Sequence, residues 1–293
     1  MPAFDWYQGT VRAPLDDVIG ACLGLAEGAE LKHCKGLQGY GHRTVVQAAG
    51  ASIGQVWHGG THVHPHVVFS SDAATAGADM IRAAFPDHLV TRLDVKEDFG
   101  EPDAFDRMLP TLLGAAHRHR VGVDTRGDHL LRKEGRTVYL GSKTSAVQCR
   151  QYDKAAELRA KFASNPSRLL EVPAHLTRLE VQVRPSTPMA RQAFSKIEPI
   201  AAIGCSDWTR DIWRDITGME LERVSVTKAW RESDDDRAYS AMLAQYGRML
   251  GRRMLHHGSW SAFGCQLGSD LADRAEAQEE LHGRRVARDR RRT

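Results

Sequence analysis

Tyr152 sits between Arg150 and Lys154 in "AVQCRQYDKAAE", where an alternating stretch gives way to a helical one. A phenol flanked by cations can attack an anionic centre, provided its proton is removed and the charge developing on the target is neutralised. A tyrosine in that setting can equally be structural, needing one partner for its hydroxyl. Strand alternation sends Val147 and Cys149 one way and Gln148, Arg150 and Tyr152 the other.

Two further segments share one grammar, "TRLDV" (91–95) and "TRLEV" (177–181). In the first, Leu93 and Val95 point to one face and Arg92, Asp94, Lys96 and Asp98 to the other. In the second, Leu179, Val181 and Val183 oppose Arg178, Glu180, Gln182 and Arg184. Each strand therefore carries a carboxylate in mid-face with an arginine two residues before it. If the two faces are shared, Asp94 and Glu180 can converge on a hard divalent cation, Mg²⁺ or Mn²⁺; otherwise each pairs with arginines on an exposed sheet face. "THVHPHV" adds His62, His64 and His66 at alternate positions, which on a strand would share one face and offer extra metal ligands.

The elements that must position these groups alternate along the chain. "FDWYQGTVRA" reads as a strand and "PLDDVIGACLGLAEG" as a helix opened by Pro14 and closed by Gly28. Residues 40–70 suggest antiparallel strands with tight turns, "HPHVVFSSD" being the clearest. "AATAGADMIRAAF" is a helix ended by Pro86, "VTRLDVKEDF" a strand, and "PDAFDRMLPTLLGAAHRHR" a helix that Pro110 should kink or interrupt. "TVYLGS" and "AVQCRQY" form a hairpin pair, followed by the helix "DKAAELRAKFAS" and the strand "LTRLEVQVRP". Beyond residue 186 the pattern is mostly helical, with two helices around Gly258-Ser259.

The expected fold is α/β (α+β), a mainly antiparallel central sheet whose polar face carries the site and whose other face packs helices. The expected division is residues 1–230 for the site, 231–280 for a helical C-terminal region, and 281–293 for a disordered basic tail. A soft boundary falls near 230, before the acidic "ESDDD".

Composition bounds the rest. A chain of 293 residues with 42% hydrophobic content can bury a sizeable core, and a formal net charge of +3 is undiagnostic by itself. The last ten residues, "RRVARDRRRT", hold six arginines against one aspartate, a polyanion-binding or merely solubilising end. Five cysteines without C-x-x-C spacing, and no basic leader with an apolar core, point to reduced thiols in a cytoplasm. No run approaches the about 20 apolar residues of a membrane span.

Taken in order, "VTRLDVKEDFGEPDAFD", "TVYLGSKTSAVQCRQYDKAAE" and "LTRLEVQVRP" resemble the replication initiation factor family (Rep_trans type). That family comprises rolling-circle replication initiators of plasmids, related proteins of filamentous phages, and some conjugative-element relaxases. The resemblance spans residues 90–190 in three blocks and implies an HUH-nickase-like fold, although the family does not depend on a histidine pair. It implies that Tyr152 is the nucleophile that attacks a DNA phosphate, leaving a 5′-phosphotyrosine and a 3′-hydroxyl primer. It also implies that Asp94 and Glu180 hold the metal. Arg150 and Lys154 are then candidates to stabilise the phosphate. Lys143, Arg92 and Arg178 are candidates for DNA contact, and Asp98, His64 and His66 for additional metal contact.

The partners implied are single-stranded or hairpin origin DNA, a host helicase and polymerase, and a second copy in a homodimer, all in the cytoplasm of a bacterial host. Only one tyrosine occupies the nucleophile block, with Tyr139 on the neighbouring strand as the alternative. Arg248, Arg252 and Arg253 give the C-terminal helices a basic face suited to duplex DNA, or the helices serve packing or dimerisation. A relaxase for transfer would use the same residues. A non-catalytic DNA-binding regulator would be expected to have lost the tyrosine or the acidic pair, and this chain has all three.

Overall fold

Alternation of apolar and polar residues builds ten strands within the residues that the computed structural model describes, 1–224 and 234–289. They are β1 (Ala3–Thr10), β2 (Glu30–Lys35), β3 (His42–Ala48), β4 (Ala51–His58), β5 (His66–Ser70), β6 (Leu89–Phe99), β7 (Val123–Arg126), β8 (Thr137–Leu140), β9 (Val147–Asp153) and β10 (Thr177–Val183). The helices are α1 (Leu15–Leu23), α2 (Ala73–Ala84), α3 (Ala104–His119), α4 (Lys154–Lys161), α5 (Pro166–Leu170), α6 (Pro188–Phe194), α7 (Pro199–Ile203), α8 (Asp207–Thr217), α9 (Asp234–His257) and α10 (Trp260–Asp289).

The strands join in one sheet of order β2-β3-β4-β5-β1-β6-β10-β9-β8-β7, each neighbouring pair antiparallel. The expected mixed α/β fold with a mainly antiparallel sheet is therefore present. One face is the core: Phe4, Tyr7, Val56, Phe69, Leu93, Val95, Leu140, Cys149, Leu179 and Val181 form a cluster with Ile81 of α2, Met108 and Leu112 of α3, and Ile212 and Trp213 of α8. Gln151 points into this cluster and its Nε2 donates to the Phe105 carbonyl at 2.7 Å, tying the start of α3 to β9. On the opposite face β6, β10 and β9 present polar side chains, and α4 borders that face beside Tyr152.

Three local expectations change. α3 runs unbroken through Pro110, because Pro110 and Asp106, whose carbonyl loses its donor, both lie on the exposed side of the helix. α1 stops at Leu23, and Gly28 serves instead in the following turn with φ of +68°. Only His66 of the three spaced histidines belongs to a strand; His62 and His64 lie in the preceding turn, where Pro65 separates them from β5, so they do not share a sheet face.

The chain divides into two compact units, Met1–Ala229 and Trp230–Thr293. The second is a pair of helices that meet at Gly258, whose φ of +79° allows the chain to reverse. Helix α10 continues to Asp289, into the arginine-rich stretch, whose final residues 290–293 lie outside the described residues. The expected boundary near 230 falls on residues 225–233, also outside them.

Phe69 shows how tightly the core face is filled. A Cβ at Gly77 of α2 would lie 2.3 Å from its ring, and one at Gly54 of β4 would lie 2.7 Å from it. At an open helical position, glycine to alanine stabilises by about 1 kcal/mol. Gly20 of α1 is such a position, with nothing near its absent Cβ. Gly77→Ala is expected to destabilise by about 1–3 kcal/mol through overpacking, whereas Gly20→Ala is expected to be neutral or stabilising; urea unfolding of the two variants reads the difference in sign.

Candidate functional site

Register decides what the polar face brings together. Because cross-strand partners in an antiparallel sheet share a face, three successive rows form across β8, β9, β10 and β6. Thr137, Tyr152, Arg178 and Asp98 make the first, and Tyr139, Arg150, Glu180 and Lys96 the second. Gln148, Gln182 and Asp94 make the third, with Trp6 of β1 completing it. Asp94 and Glu180 are thus diagonal neighbours on adjacent strands, and Tyr152 is diagonal to Glu180.

Both carboxylates are about 1% exposed and both are ion-paired. Arg150 Nη2 lies 2.5 Å from Glu180 Oε1 and 2.7 Å from Oε2, while Arg92 grips Asp94 through Nε at 2.8 Å and through Nη2. Gln182 Nε2 donates to Asp94 Oδ2 at 3.2 Å. Glu180 is pushed above the usual carboxylate range, first by burial and then by Asp94, against the pull of Arg150.

The Tyr152 hydroxyl donates to Glu180 Oε2 at 3.4 Å. Two cations lie near its ring, the Arg150 guanidinium 5.0 Å and the Lys154 Nζ 5.7 Å from the ring centroid. Burial, then the Glu180 charge, raise the phenol's proton affinity, and Arg178 and Arg150 oppose them. Tyr152 opens onto a pocket of about 320 Å³ that is lined also by Gly135, Thr137, Tyr139, Arg150 and Glu157.

Asp153 N-caps α4 by accepting from the Ala156 N–H at 2.9 Å, which starts the helix immediately after the tyrosine. Lys154 is consequently the first residue of α4, where its Nζ pairs with Glu157 at 2.9 Å.

The remaining candidates lie apart or are committed. Arg178 is 5% exposed, clamps Asp98 through Nε at 2.6 Å and Nη2 at 2.8 Å, and reaches Asp5 at 2.8 Å. Arg92 stacks 4.7 Å from the Trp6 ring centroid. Lys143 is exposed in the β8–β9 turn. His66 is buried at the far side of β1, with Nδ1 3.3 Å from Thr10 Oγ1 and its ring near Tyr40 and Trp57; His64 is exposed.

Sequence reading missed Asp5, the partner of both Arg178 and Lys96. A register shift between Phe4 and Trp6 turns Asp5 toward this face, and simple alternation cannot register that shift.

Among the described residues, no group of three or more His, Cys, Asp or Glu side chains is arranged to hold a metal ion. The polar face nevertheless offers a hard-oxygen set: Asp94, Glu180, and Gln182 Oε1, which is buried and has no hydrogen-bond partner. That suits Mg²⁺ or Mn²⁺, which fill their remaining positions with water and substrate phosphate. All five cysteines are free, and no helix of the described residues is long and apolar enough to cross a membrane.

Among solved structures, the chain is similar to a rolling circle replication initiator protein from Geobacillus stearothermophilus. The TM-score is 0.49 and the identity 17%, over 76% of this chain and 98% of that one. No family model and no curated protein matches the sequence.

His66 makes the protein's acid sensitivity predictable. Burial first, then the charges of His62 and Arg191, hold its imidazole down at about 4 against an ordinary 6.5. Between those two values the unfolded chain binds a proton that the folded chain refuses, so stability present above pH 6.5 is lost as the pH falls through the window. The loss is on the order of 3 kcal/mol. Urea unfolding at neutral pH and near pH 4.5 should show it, and His66→Gln should shrink the difference to the part owed to His58 and His88, which burial also holds down.

Proposed function

We propose that the protein nicks and rejoins single-stranded DNA through a Tyr152–phosphate intermediate, and that it serves as an initiator of rolling-circle replication. The observation that carries this reading is the Tyr152 hydroxyl resting on the buried Glu180 carboxylate, with the Arg150 and Lys154 cations near its ring, at the wall of an open pocket. The resemblance of residues 90–190 to the replication initiation factor family supports the same chemistry.

In the proposed reaction the Tyr152 oxygen attacks the scissile phosphorus, a new O–P bond forms, and the P–O3′ bond breaks. The phenolic proton leaves to solvent through the open pocket, and the Arg150 and Lys154 cations near the ring stabilise the phenolate that forms. The departing 3′ oxygen takes a proton from solvent and becomes the free hydroxyl that a polymerase can extend. Arg150 and Lys154 offset the charge that gathers on the non-bridging oxygens. Asp94 and Glu180, with Gln182 Oε1, are the residues that would hold a divalent cation, which when bound supplies charge neutralisation at the phosphate. The covalent link conserves the bond energy, so rejoining is the same displacement in reverse.

Lys143, exposed beside this face, is free to contact the DNA backbone. Arg178 acts through Asp98 and Asp5 as a positioning residue. A relaxase for DNA transfer would use the same nick, and a second copy would provide the second tyrosine that ends a round.

Incubation with a single-stranded oligonucleotide pool and Mn²⁺ should yield a protein–DNA adduct that survives denaturing gels, and Tyr152→Phe should abolish it. Loss of one transesterification group is expected to reduce the rate by at least about 10³-fold. An adduct of undiminished yield in Tyr152→Phe would transfer the role to Tyr139. Removal of the divalent ion with EDTA is expected to abolish the adduct, as are Asp94→Asn and Glu180→Gln. DNA binding by these variants without any adduct from the parent chain would instead favour a non-catalytic regulator.

A further inference from the structure

The polar face that carries Tyr152 continues past the two acids into a fourth row. Val183 pairs with Leu93, and the Arg184 N–H donates to the Ala146 carbonyl at 2.8 Å, which carries the β9–β10 ladder one residue further. Arg184 therefore stands beside Arg92, and Gln8 of β1 follows Arg92 in the same row. Arg178, the cross-strand partner of Tyr152, lies six residues back along β10, a span of about 20 Å.

Arg184 is half-buried and makes no ion pair among the described residues; its Nη1 donates to the Lys143 carbonyl at 2.6 Å. Burial, then the Arg92 charge, weaken its hold on its proton, and Asp94, already gripped by Arg92, offsets them only in part. Arg191 of α6 is placed alike. It is half-buried, has no ion pair among the described residues, and its Nε donates to the carbonyl of Pro185, the residue after Arg184, at 3.1 Å. Its charge also helps to hold down His66 on this face. A half-buried cation without a counter-ion is costly, and an anion from outside offsets that cost.

The chain that builds this end of the sheet has the same bias. Residues 31–71, 137–152 and 181–197 hold eight lysines and arginines and no aspartate or glutamate, so nothing within them can neutralise the pair. Asp72 and Asp153, which follow the first two segments, lie at the opposite end, just past β5 and at the last position of β9. Asp94, Asp98 and Glu180 belong to the first three rows, each held by an arginine.

We propose that Arg184 and Arg191 bind a backbone phosphate of single-stranded DNA and hold the strand along β10, about 20 Å from the phosphate presented to Tyr152. The ligand is a strand because the arginines share a face with Tyr152 at a distance that a stacked strand, rising about 3.4 Å per nucleotide, covers in about six nucleotides. Guanidinium forks match phosphate oxygens, and such contacts fix the position of a strand without reading its bases. This inference rests on the nicking reading for the place of the scissile phosphate, but strand binding is measurable without any nick.

The test uses the full chain carrying Tyr152→Phe, so that no covalent chemistry intervenes. The probe is a fluorescein-labelled oligothymidylate of about 12 nucleotides, followed by anisotropy from about 50 to about 300 mM NaCl. Arg184→Gln with Arg191→Gln should weaken binding about tenfold or more near 0.1 M salt. The slope of log K against log salt should become shallower by about 1.4, two contacts at about 0.7 each. Arg184→Lys with Arg191→Lys should keep the slope, since both charges remain. Arg132→Gln, which removes an exposed arginine from the β7–β8 loop, should change Kd less than about twofold.

An unchanged slope in the glutamine pair would overturn the proposal. So would a slope lost equally in the lysine pair, which would mark the effect as damage to the fold, and so would a loss per charge as large in Arg132→Gln. An equal loss of affinity for a blunt duplex of the same length would also overturn it, by assigning the arginines to duplex DNA. Failure of the nicking reading shows separately, as a parent chain that binds the strand with its full salt slope and forms no adduct.

Discussion

Two buried carboxylates on one sheet face govern the organisation of this protein. Asp94 and Glu180 sit diagonally on β6 and β10, about 1% exposed, where an uncompensated charge would cost several kcal/mol. Each is held by an arginine, Asp94 by Arg92 and Glu180 by Arg150. Those arginines in turn stack on aromatic rings, Arg92 on Trp6 and Arg150 on Tyr152. Removing either acid would leave a guanidinium without its partner, and removing either arginine would leave a buried anion. The pairing thus locks the rotamers of the groups that surround the tyrosine.

The opposite face makes this arrangement stable. Leu93, Val95, Leu179, Val181 and Cys149 occupy the alternate positions of the same strands and pack beneath α2, α3 and α8. A slip of one residue in any of these strands would exchange the apolar set for the charged one. Core packing therefore enforces the register that places Tyr152 diagonal to Glu180. The apolar layer thereby fixes the arrangement of the polar side chains above it without touching them.

Much of this was legible in the residues. Alternation in "TRLDV", "TRLEV" and "AVQCRQY" correctly separates the inward from the outward side chains, and the hairpin, the following helix and the paired C-terminal helices fall where the patterns place them. Less legible were β2 and β7, short edge strands with exposed residues that carry little apolar alternation. Pro110 misled because its effect depends on which side of α3 faces solvent, a tertiary property. The spaced histidines misled because Pro65 separates two of them from the strand that holds the third.

By itself the sequence determined which side chains share a face of each strand, since a period of two is a local consequence of backbone geometry. It also determined where α4 begins, because Asp153 caps the helix that Lys154 opens. Only the tertiary structure decided that β6, β10 and β9 are neighbours in that order, that Asp5 turns in beside Arg178, and that Gln182 Oε1 is buried without a hydrogen-bond partner. Strand order and register arise from long-range packing on the apolar face. Tyr152 and Asp94, 58 positions apart by their numbers, meet on one surface only because that packing brings their strands together.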